Sequence, residues 1–252
     1  MKFHFISSNT SEAIKAKEEY IKSYNQTDPE LADMIIPIGG DGILLKSLHD
    51  FNELNKPFFG INYGSIGFLM NSASNKDLKE VIKNSKSTDL KPLKMTAKDE
   101  DNKIYDSIAY NEVSLMRQSH QASKFQIKIN ETTRMKELIC DGVLVSTSAG
   151  STAYNLSAHG SILPLDSNLL ALTPISAFRP RRWRGALLSE KNIIEIKVIN
   201  FKDRKVSVTA DNIEFRNIKE VIIQSSQDKN CRILFDNNHS IEDKILNEQF
   251  EY

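Results

Sequence analysis

Residues 1–95 alternate short apolar runs with segments of helical periodicity. The apolar runs KFHFI, MIIPI and PFFGIN have the length of buried strands. Between and after them, apolar residues recur at helical spacing in SEAIKAKEEYIKSY, which begins at Ser11, in ILLKSLHDF and in NKDLKEVIKNS. Strands that alternate with helices are typical of βαβ units. This part of the chain is therefore predicted to form a Rossmann-like parallel α/β domain.

The pattern changes near residue 96, where apolar and polar residues begin to alternate in steps of two. The runs KIYDSIAYNEVSLM, KFQIKIN, GVLVST, IIEIKVIN, KVSVTAD and EVIIQSS show it. Such runs predict a mostly antiparallel, β-rich domain resembling a β-sandwich, over residues 96–225. In the tail, Ile241, Ile245 and Phe250 lie at roughly helical spacing. We expect residues 226–252 to end in a C-terminal helix that packs back and to join the domain of residues 1–95.

Composition narrows the classes of function. The 252 residues include 33 Lys+Arg and 33 Asp+Glu, so the formal net charge is zero and nothing favours a nucleic-acid or membrane-surface partner. Cys140 and Cys231 are too few for a disulfide framework, which suits a reducing compartment. No apolar run approaches the roughly 20 residues that span a bilayer, and the N-terminus lacks a signal-peptide pattern. We expect a soluble, cytoplasmic protein.

The turn Gly39-Gly40-Asp41-Gly42 joins the MIIPI strand to the helix that follows. A glycine-rich turn between a parallel strand and a helix N-terminus is a common phosphate site. A carboxylate beside phosphate is repulsive unless it binds a bridging metal or accepts a proton from the attacking group. The turn therefore suggests phosphoryl transfer. The alternative is a tight turn in which Asp41 caps the helix. These four residues leave both interpretations open.

Two later segments add to this turn. PFFGINYGSIGFL, residues 57–69, places Gly60, Gly64 and Gly67 after another strand. The segment at 140–164, CDGVLVSTSAGSTAYNLSAHGSILP, is rich in hydroxyl and amide side chains around Gly150: Ser146, Thr147, Ser148, Ser151, Thr152, Tyr154, Asn155 and Ser157.

Together these segments resemble the NAD kinases, also called ATP-NAD or polyphosphate/ATP-NAD kinases. The resemblance covers GGDG at 39–42, GINYGSIGFL at 60–69, the Asn111-Glu112 pair and DGVLVSTSAGSTAYNLSAHG at 141–160. GGDG alone is shared with diacylglycerol- and sphingosine-type lipid kinases, and the later segments make the resemblance specific. Two departures are Ala149, where many members have a hydroxyl residue, and Cys140, where glycine is common.

The resemblance implies an enzyme that transfers the γ-phosphoryl group of ATP, or in some members of polyphosphate, to the 2′-hydroxyl of the adenosine ribose of NAD. It makes Asp41 the catalytic base and assigns the ATP phosphates to Gly39, Gly40 and Gly42. The NAD-binding residues it implies are Asp41, Gly42, Phe68, Asn111, Glu112, Asp141, Thr152, Ala153, Tyr154, Ser157, Asp211 and Asn212. Mg²⁺ would bridge the donor phosphates, and no residue of the chain is assigned to the metal. A homodimer or homotetramer is expected.

Two other functions stay open from the sequence: a GGDG-type lipid kinase, and a non-catalytic regulator that binds NAD or NADP. The segment FRPRRWRG also has two interpretations. Its four arginines, Arg179, Arg181, Arg182 and Arg184, would suit phosphate oxygens, and with Trp183 they would equally suit a subunit interface.

Overall fold

A computed structural model describes residues 1–64, 67–237 and 250 of the chain. The chain forms two compact units. The first combines Met1–Leu90 with Lys229–Tyr252, and the second is Lys91–Asp228. Within the described residues, no helix is long and apolar enough to cross a membrane.

The first unit is built on a four-stranded parallel sheet. Its strands, in spatial order, are β1 (Phe3–Ser7), β2 (Met34–Gly39), β3 (Ile61–Asn62) and β4 (Asn71–Ser72). The α-helices are α1 (Ser11–Tyr24), α2 (Asp41–Asp50) and α3 (Leu78–Lys83). Thr10 is the N-cap of α1, and its hydroxyl accepts a hydrogen bond from the Ala13 N–H. All six residues of β2 are buried, as expected for a central strand of a parallel sheet.

The segment PFFGIN is less regular than predicted, because only its last two residues form β3. Phe58 instead makes single parallel bridges to Ile35 and Ile233. Ile233 belongs to β18 (Cys231–Phe235), which pairs antiparallel with β5 (Lys86–Leu90). The sequence did not predict this pair, which brings the chain back to the first unit after the second is complete. The predicted C-terminal helix, in the segment SIEDKILNEQFEY at 240–252, lies outside the described residues except for Phe250.

The second unit is a β-sandwich of two six-stranded antiparallel sheets. One sheet has the order β10-β9-β14-β17-β6-β7. Its strands are β6 (Leu93–Asp99), β7 (Ile104–Ala109), β9 (Ser123–Ile129), β10 (Thr132–Cys140), β14 (Ile194–Val198) and β17 (Ile218–Ser225). The other has the order β13-β12-β11-β8-β15-β16. Its strands are β8 (Glu112–Arg117), β11 (Gly142–Ser146), β12 (Leu169–Ile175), β13 (Ala186–Ser189), β15 (Val206–Ala210) and β16 (Ile213–Phe215).

Both sheets contribute apolar side chains to one core, among them Met95, Phe125, Leu115 and Val143. In β9 buried positions alternate with partly exposed ones, which is the period-two pattern read from the sequence. The predicted fold class, a parallel α/β domain followed by an antiparallel β-rich domain, is confirmed. A short 3₁₀ turn (Ala149–Thr152) and the single-turn helix α4 (Tyr154–Ser157) follow β11.

Candidate functional site

The glycine-rich turn of the first unit follows β2 directly. Gly39 has a φ of +147°, and a Cβ added to it would lie 2.7 Å from the Ser8 hydroxyl oxygen, so the chain itself requires glycine here. Gly40 is the N-cap of α2 and Asp41 is its first residue. The interpretation of Asp41 as the helix cap is therefore wrong.

The Asp41 carboxylate binds the second glycine-rich loop. Its Oδ2 accepts a hydrogen bond from the Phe68 N–H at 2.8 Å, and its Oδ1 accepts one from the Leu69 N–H at 3.0 Å. These bonds fix the orientation of the carboxylate and join two segments that the sequence pattern had singled out separately. A carboxylate oxygen has two lone pairs, so one bond from an N–H is compatible with a second bond from a hydroxyl.

Gly42 differs from Gly39. A Cβ added to Gly42 would meet no atom of the described chain within 4 Å. Folding therefore places no steric demand for glycine at this position, although glycine in a helix is unfavourable relative to alanine. The small residue leaves the N-terminal turn of α2 open for close approach of a ligand, and helix N-termini favour anions.

In the second unit, a turn presents Asn111 and Glu112 at the start of β8, where the sequence had suggested one continuous strand run from residue 103 to 116. The carboxylate of Asp211 accepts hydrogen bonds from three successive backbone N–H groups of this turn. The distances are 2.7 Å from Tyr110, 2.9 Å from Asn111 and 3.2 Å from Glu112. Asp211 follows β15 in the left-handed region, with φ 52°. The structure thus brings together residues about one hundred positions apart in the sequence.

The polar segment after β11 contacts the carbonyl groups of the same turn. The Thr147 hydroxyl donates to the Tyr110 carbonyl at 2.6 Å, and the Thr147 N–H donates to the Asn111 carbonyl at 2.9 Å. Gly150 packs so closely that an added Cβ would lie 2.2 Å from the Asn111 oxygen. The turn is therefore fixed through its backbone by two other segments.

Glu112 has an unusual environment for a carboxylate. Its Oε2 is buried and has no hydrogen-bond partner among the described residues. Burial, and next the negative charge of Asp211, raise the pKa of Glu112 to about 7. Buried acids without a partner are uncommon in folded proteins because desolvation is costly. Such a group is a candidate for binding a ligand hydroxyl.

Asp141 and Tyr154 lie in the same unit. Arg117 Nε donates to Asp141 Oδ1 at 2.6 Å, in an ion pair that is partly exposed to solvent. The Tyr154 hydroxyl lies 3.6 Å from the Met116 sulfur. Burial raises the pKa of Tyr154, and the charges of Glu112 and Asp141 raise it further. Tyr154 therefore lies within the electrostatic reach of both acids.

The remaining residues of the polar segment differ in their exposure to solvent. Thr152 ends the 3₁₀ turn, Ala153 precedes α4, and the side chain of Ser157 is exposed. Below them, Asn155 is fully buried, donates to the carbonyls of Ser151 and Ser161, and accepts from the Thr173 hydroxyl at 2.6 Å. Asn155 is thus a structural support.

Three further predicted features can be placed. Asn212 has an exposed side chain. Cys140 is buried, and burial raises the pKa of its thiol to about 12, as suits a structural residue. The four arginines of FRPRRWRG are exposed. The guanidinium groups of Arg179 and Arg181 lie over the ring of Phe178, which is itself 49% exposed. This segment takes no part in the contacts described above.

Sequence reasoning missed the contacts that hold these residues. Thr147 had been noted only for its hydroxyl, and Arg117 had not been singled out. Asp211 was expected to contact a ligand, whereas its carboxylate binds backbone. The only local signal was the density of hydroxyl groups between residues 146 and 157.

One unit thus carries a glycine-rich turn with an oriented carboxylate, and the other an amide and a carboxylate on a turn held through its backbone. A glycine-rich turn at a helix N-terminus with an acid beside it is compatible with phosphoryl transfer. The family models agree with this class of reaction. The ATP-NAD kinase N-terminal domain matches residues 1–89, and the ATP-NAD kinase C-terminal domain matches residues 110–235.

Similar proteins point the same way. A protein named NAD kinase from Rickettsia canadensis (strain McKiel) is 52% identical over 233 residues, which are 92% of this chain and 91% of that protein. An NAD kinase from Rickettsia bellii (strain OSU 85-389) is 49% identical over 249 residues, covering 99% and 98%. The chain belongs to the NAD kinase family, and the resemblance to this family seen in its sequence motifs is confirmed. The lipid-kinase and non-catalytic alternatives are set aside.

Solved structures share the fold. The crystal structure of yeast NADH kinase complexed with NADH superposes with a TM-score of 0.85 at 21% identity, covering 98% of this chain and 86% of that one. The crystal structure of an NAD kinase from Archaeoglobus fulgidus in complex with ATP has a TM-score of 0.77 at 23% identity, covering 98% of each chain.

Proposed function

We propose that this chain makes NADP from NAD and ATP, with Asp41 as the base that takes the proton of the ribose 2′-hydroxyl. The observation that carries the proposal is the Asp41 carboxylate, which two backbone N–H groups orient at the N-terminus of α2. A secondary alcohol is a poor nucleophile until its proton is removed. As the proton passes to Asp41, the ribose oxygen forms a bond to the γ-phosphorus and the bond to the ADP oxygen breaks.

The phosphates of ATP would lie on the turn formed by Gly39, Gly40 and Gly42. The first N–H groups of α2 point toward such an anion, and Gly42 leaves room for it. Mg²⁺ would come with ATP, because this ion is usually bound through substrate phosphates together with one or two carboxylates. When bound, the ion would neutralise charge on the transferred phosphoryl group.

The nucleoside of NAD would be held by the second unit. The Asn111 amide can both donate and accept, and ionised Glu112 can accept from a ribose hydroxyl. Asp141 and Tyr154 would contact the same ligand, as the resemblance implies. Phe68, Thr152, Ala153, Ser157 and Asn212 stay in the proposed binding set on the resemblance alone.

Three broader features complete the proposal. The cysteine usage and charge balance suit an enzyme of the cytoplasm. The family resemblance supports a homodimer or homotetramer. ATP is proposed as the phosphoryl donor and NAD as the acceptor, and assays with polyphosphate and NADH would define the range of substrates.

The test is NADP formation by purified wild-type protein, Asp41→Asn and Asp50→Asn. Asp50 is the matched control, since it lies on the same helix and its carboxylate forms an exposed ion pair with Lys46. Asp41→Asn should lower kcat at least about 100-fold, the usual effect of removing a general base. NAD binding, measured by calorimetry, should change little. Equal turnover by the wild type and Asp41→Asn would contradict the role of Asp41, and a wild type that forms no NADP would contradict the proposed activity.

A further inference from the structure

The turn of residues 110–112 connects the two sheets of the second unit. It follows β7 in one sheet and leads into β8 in the other. Tyr110 is 2% exposed, so the turn is buried on one side. The backbone conformation of the turn determines the position and direction of the Asn111 and Glu112 side chains. Whatever holds this backbone therefore determines the geometry of the proposed acceptor site.

The N–H groups of the turn all donate to one side chain. Asp211 Oδ2 accepts from Tyr110, and Oδ1 accepts from both Asn111 and Glu112. The Asp211 N–H in turn donates to the Glu112 carbonyl at 3.1 Å. The left-handed backbone of Asp211 turns its carboxylate toward these donors after β15, the strand paired with β8. Bonds to a charged acceptor are about twice as strong as neutral ones.

The carbonyl groups of the turn are held from another direction. Thr147 donates to the Tyr110 carbonyl through its hydroxyl, and that hydroxyl also accepts from the Gly150 N–H at 3.0 Å. Thr147 and Asp211 both hold the backbone of the turn by hydrogen bonds, but only Asp211 carries a charge. The pair therefore offers a way to separate geometry from electrostatics.

We propose that Asp211 is a positioning residue, which fixes Asn111 and Glu112 for the acceptor through the backbone of their turn and does not itself contact NAD. This inference rests on the proposed function, in which Asn111 and Glu112 bind the ribose. It differs from the role in NAD contact that the family resemblance implies for Asp211.

The charge of Asp211 leaves a measurable signature on Glu112. Burial is the main cause of the raised pKa of Glu112, and Asp211 is the second. Among the described residues, Tyr154 also interacts electrostatically with Glu112, and with Asp141 as well. Removing the Asp211 charge should therefore lower the pKa of Glu112. A residue that only packs against the turn would not change it.

The experiment compares kcat and the KM for NAD of full-length variants at pH values on both sides of 7. For the wild type, KM should fall as pH rises through about 7, because an ionised Glu112 accepts a hydrogen bond from a ribose hydroxyl more strongly than a protonated one. Asp211→Asn loses at least one N–H acceptor and the charge. Its KM should rise about five- to tenfold with a smaller change in kcat, and the midpoint of the pH profile should move to lower pH.

Two matched variants complete the design. Thr147→Val should raise KM while leaving the midpoint in place, because it removes a bond and no charge. Asp203→Asn, an exposed aspartate before β15, should behave as wild type. If Asp211→Asn does not fold, Asp211→Glu is the substitute. It keeps the negative charge on a side chain that is one methylene longer, so it should raise KM without lowering the midpoint of the pH profile.

Two results would overturn the inference. The first is an Asp211→Asn profile identical to wild type. The second is a KM for NAD that rises in Asp211→Asn but stays at the wild-type value in Thr147→Val, as expected if Asp211 contacts NAD directly and the turn does not need to be held. Failure of the wild type to form NADP would instead count against the proposed function, and NAD binding by calorimetry across the same pH range would then decide the role of Asp211.

Discussion

Replacing Gly42 with alanine should separate stability from activity. Gly42 lies in the first turn of α2, and an added Cβ meets no atom of the described chain within 4 Å. Alanine is favoured over glycine in helices because it loses less backbone entropy on folding. Gly42→Ala should therefore increase the free energy of unfolding, even though the chain carries glycine at this position.

The size of both effects can be estimated. Glycine in a helix costs about 0.5–1 kcal/mol relative to alanine, and the first turn lies at the lower end. For a chain of this length that corresponds to a rise in Tm of about 1–4 °C. In the proposed site the new methyl group lies where a phosphate approaches. A displacement of about 1 Å can cost on the order of 100-fold in rate, so kcat/KM for ATP should fall at least about tenfold.

Calorimetric unfolding and steady-state kinetics on the same preparation measure both effects. Gly39→Ala is the contrasting variant, since its positive φ and the nearby Ser8 hydroxyl should make it less stable than wild type. Wild-type kcat/KM for ATP in a stabilised Gly42→Ala would remove Gly42 from the phosphate site. A destabilised Gly42→Ala would show that the helix argument itself is mistaken.

Three other changes test the second unit. Because the pKa of folded Glu112 is about 7, above its ordinary 4.5, folding takes up a proton between these values. The contribution of Glu112 to stability should therefore fall as pH rises across this interval, and urea unfolding of Glu112→Gln should lack that slope. Thr173→Val leaves the buried Asn155 oxygen without its bond and should cost about 1–3 kcal/mol in urea unfolding, whereas a neutral result would contradict the buried network. Arg117→Gln breaks the partly exposed pair with Asp141 and should raise the KM for NAD a few-fold at unchanged kcat, and an unchanged KM would exclude a role for the pair.

The sequence predicted the elements whose pattern is local. The apolar run of β2 and the period-two alternation of β9 follow from burial of one or both faces of a strand. The pairing of β18 with β5 had no such signal, because the two strands are separated by the whole second unit. The sequence also did not predict the single bridges of Phe58 to Ile35 and Ile233, because its segment has the pattern of an ordinary strand.

The candidate site shows the same limit at the level of single atoms. The sequence identified Asp41 and Asp211 as acids in plausible positions, but not the groups that their carboxylates bind. The donors to Asp41 lie 27 and 28 residues away, and those to Asp211 lie about one hundred away. Hydrogen bonds over such separations depend on how strands and loops are brought together, which periodicity does not encode.

Asp41 and Asp211 therefore provide the sharpest comparison in the molecule. Each accepts backbone N–H groups, so replacing either with asparagine sets an NH₂ group against an N–H and weakens a loop contact. The difference lies in the chemistry that each serves. If Asp41 takes the proton, its loss removes an interaction made only in the transition state and lowers kcat. If Asp211 positions Asn111 and Glu112, its loss weakens the bound acceptor and mainly raises the KM for NAD. Kinetics of the two variants at saturating and limiting NAD should separate these roles, and a fall of kcat alone in Asp211→Asn would contradict this division.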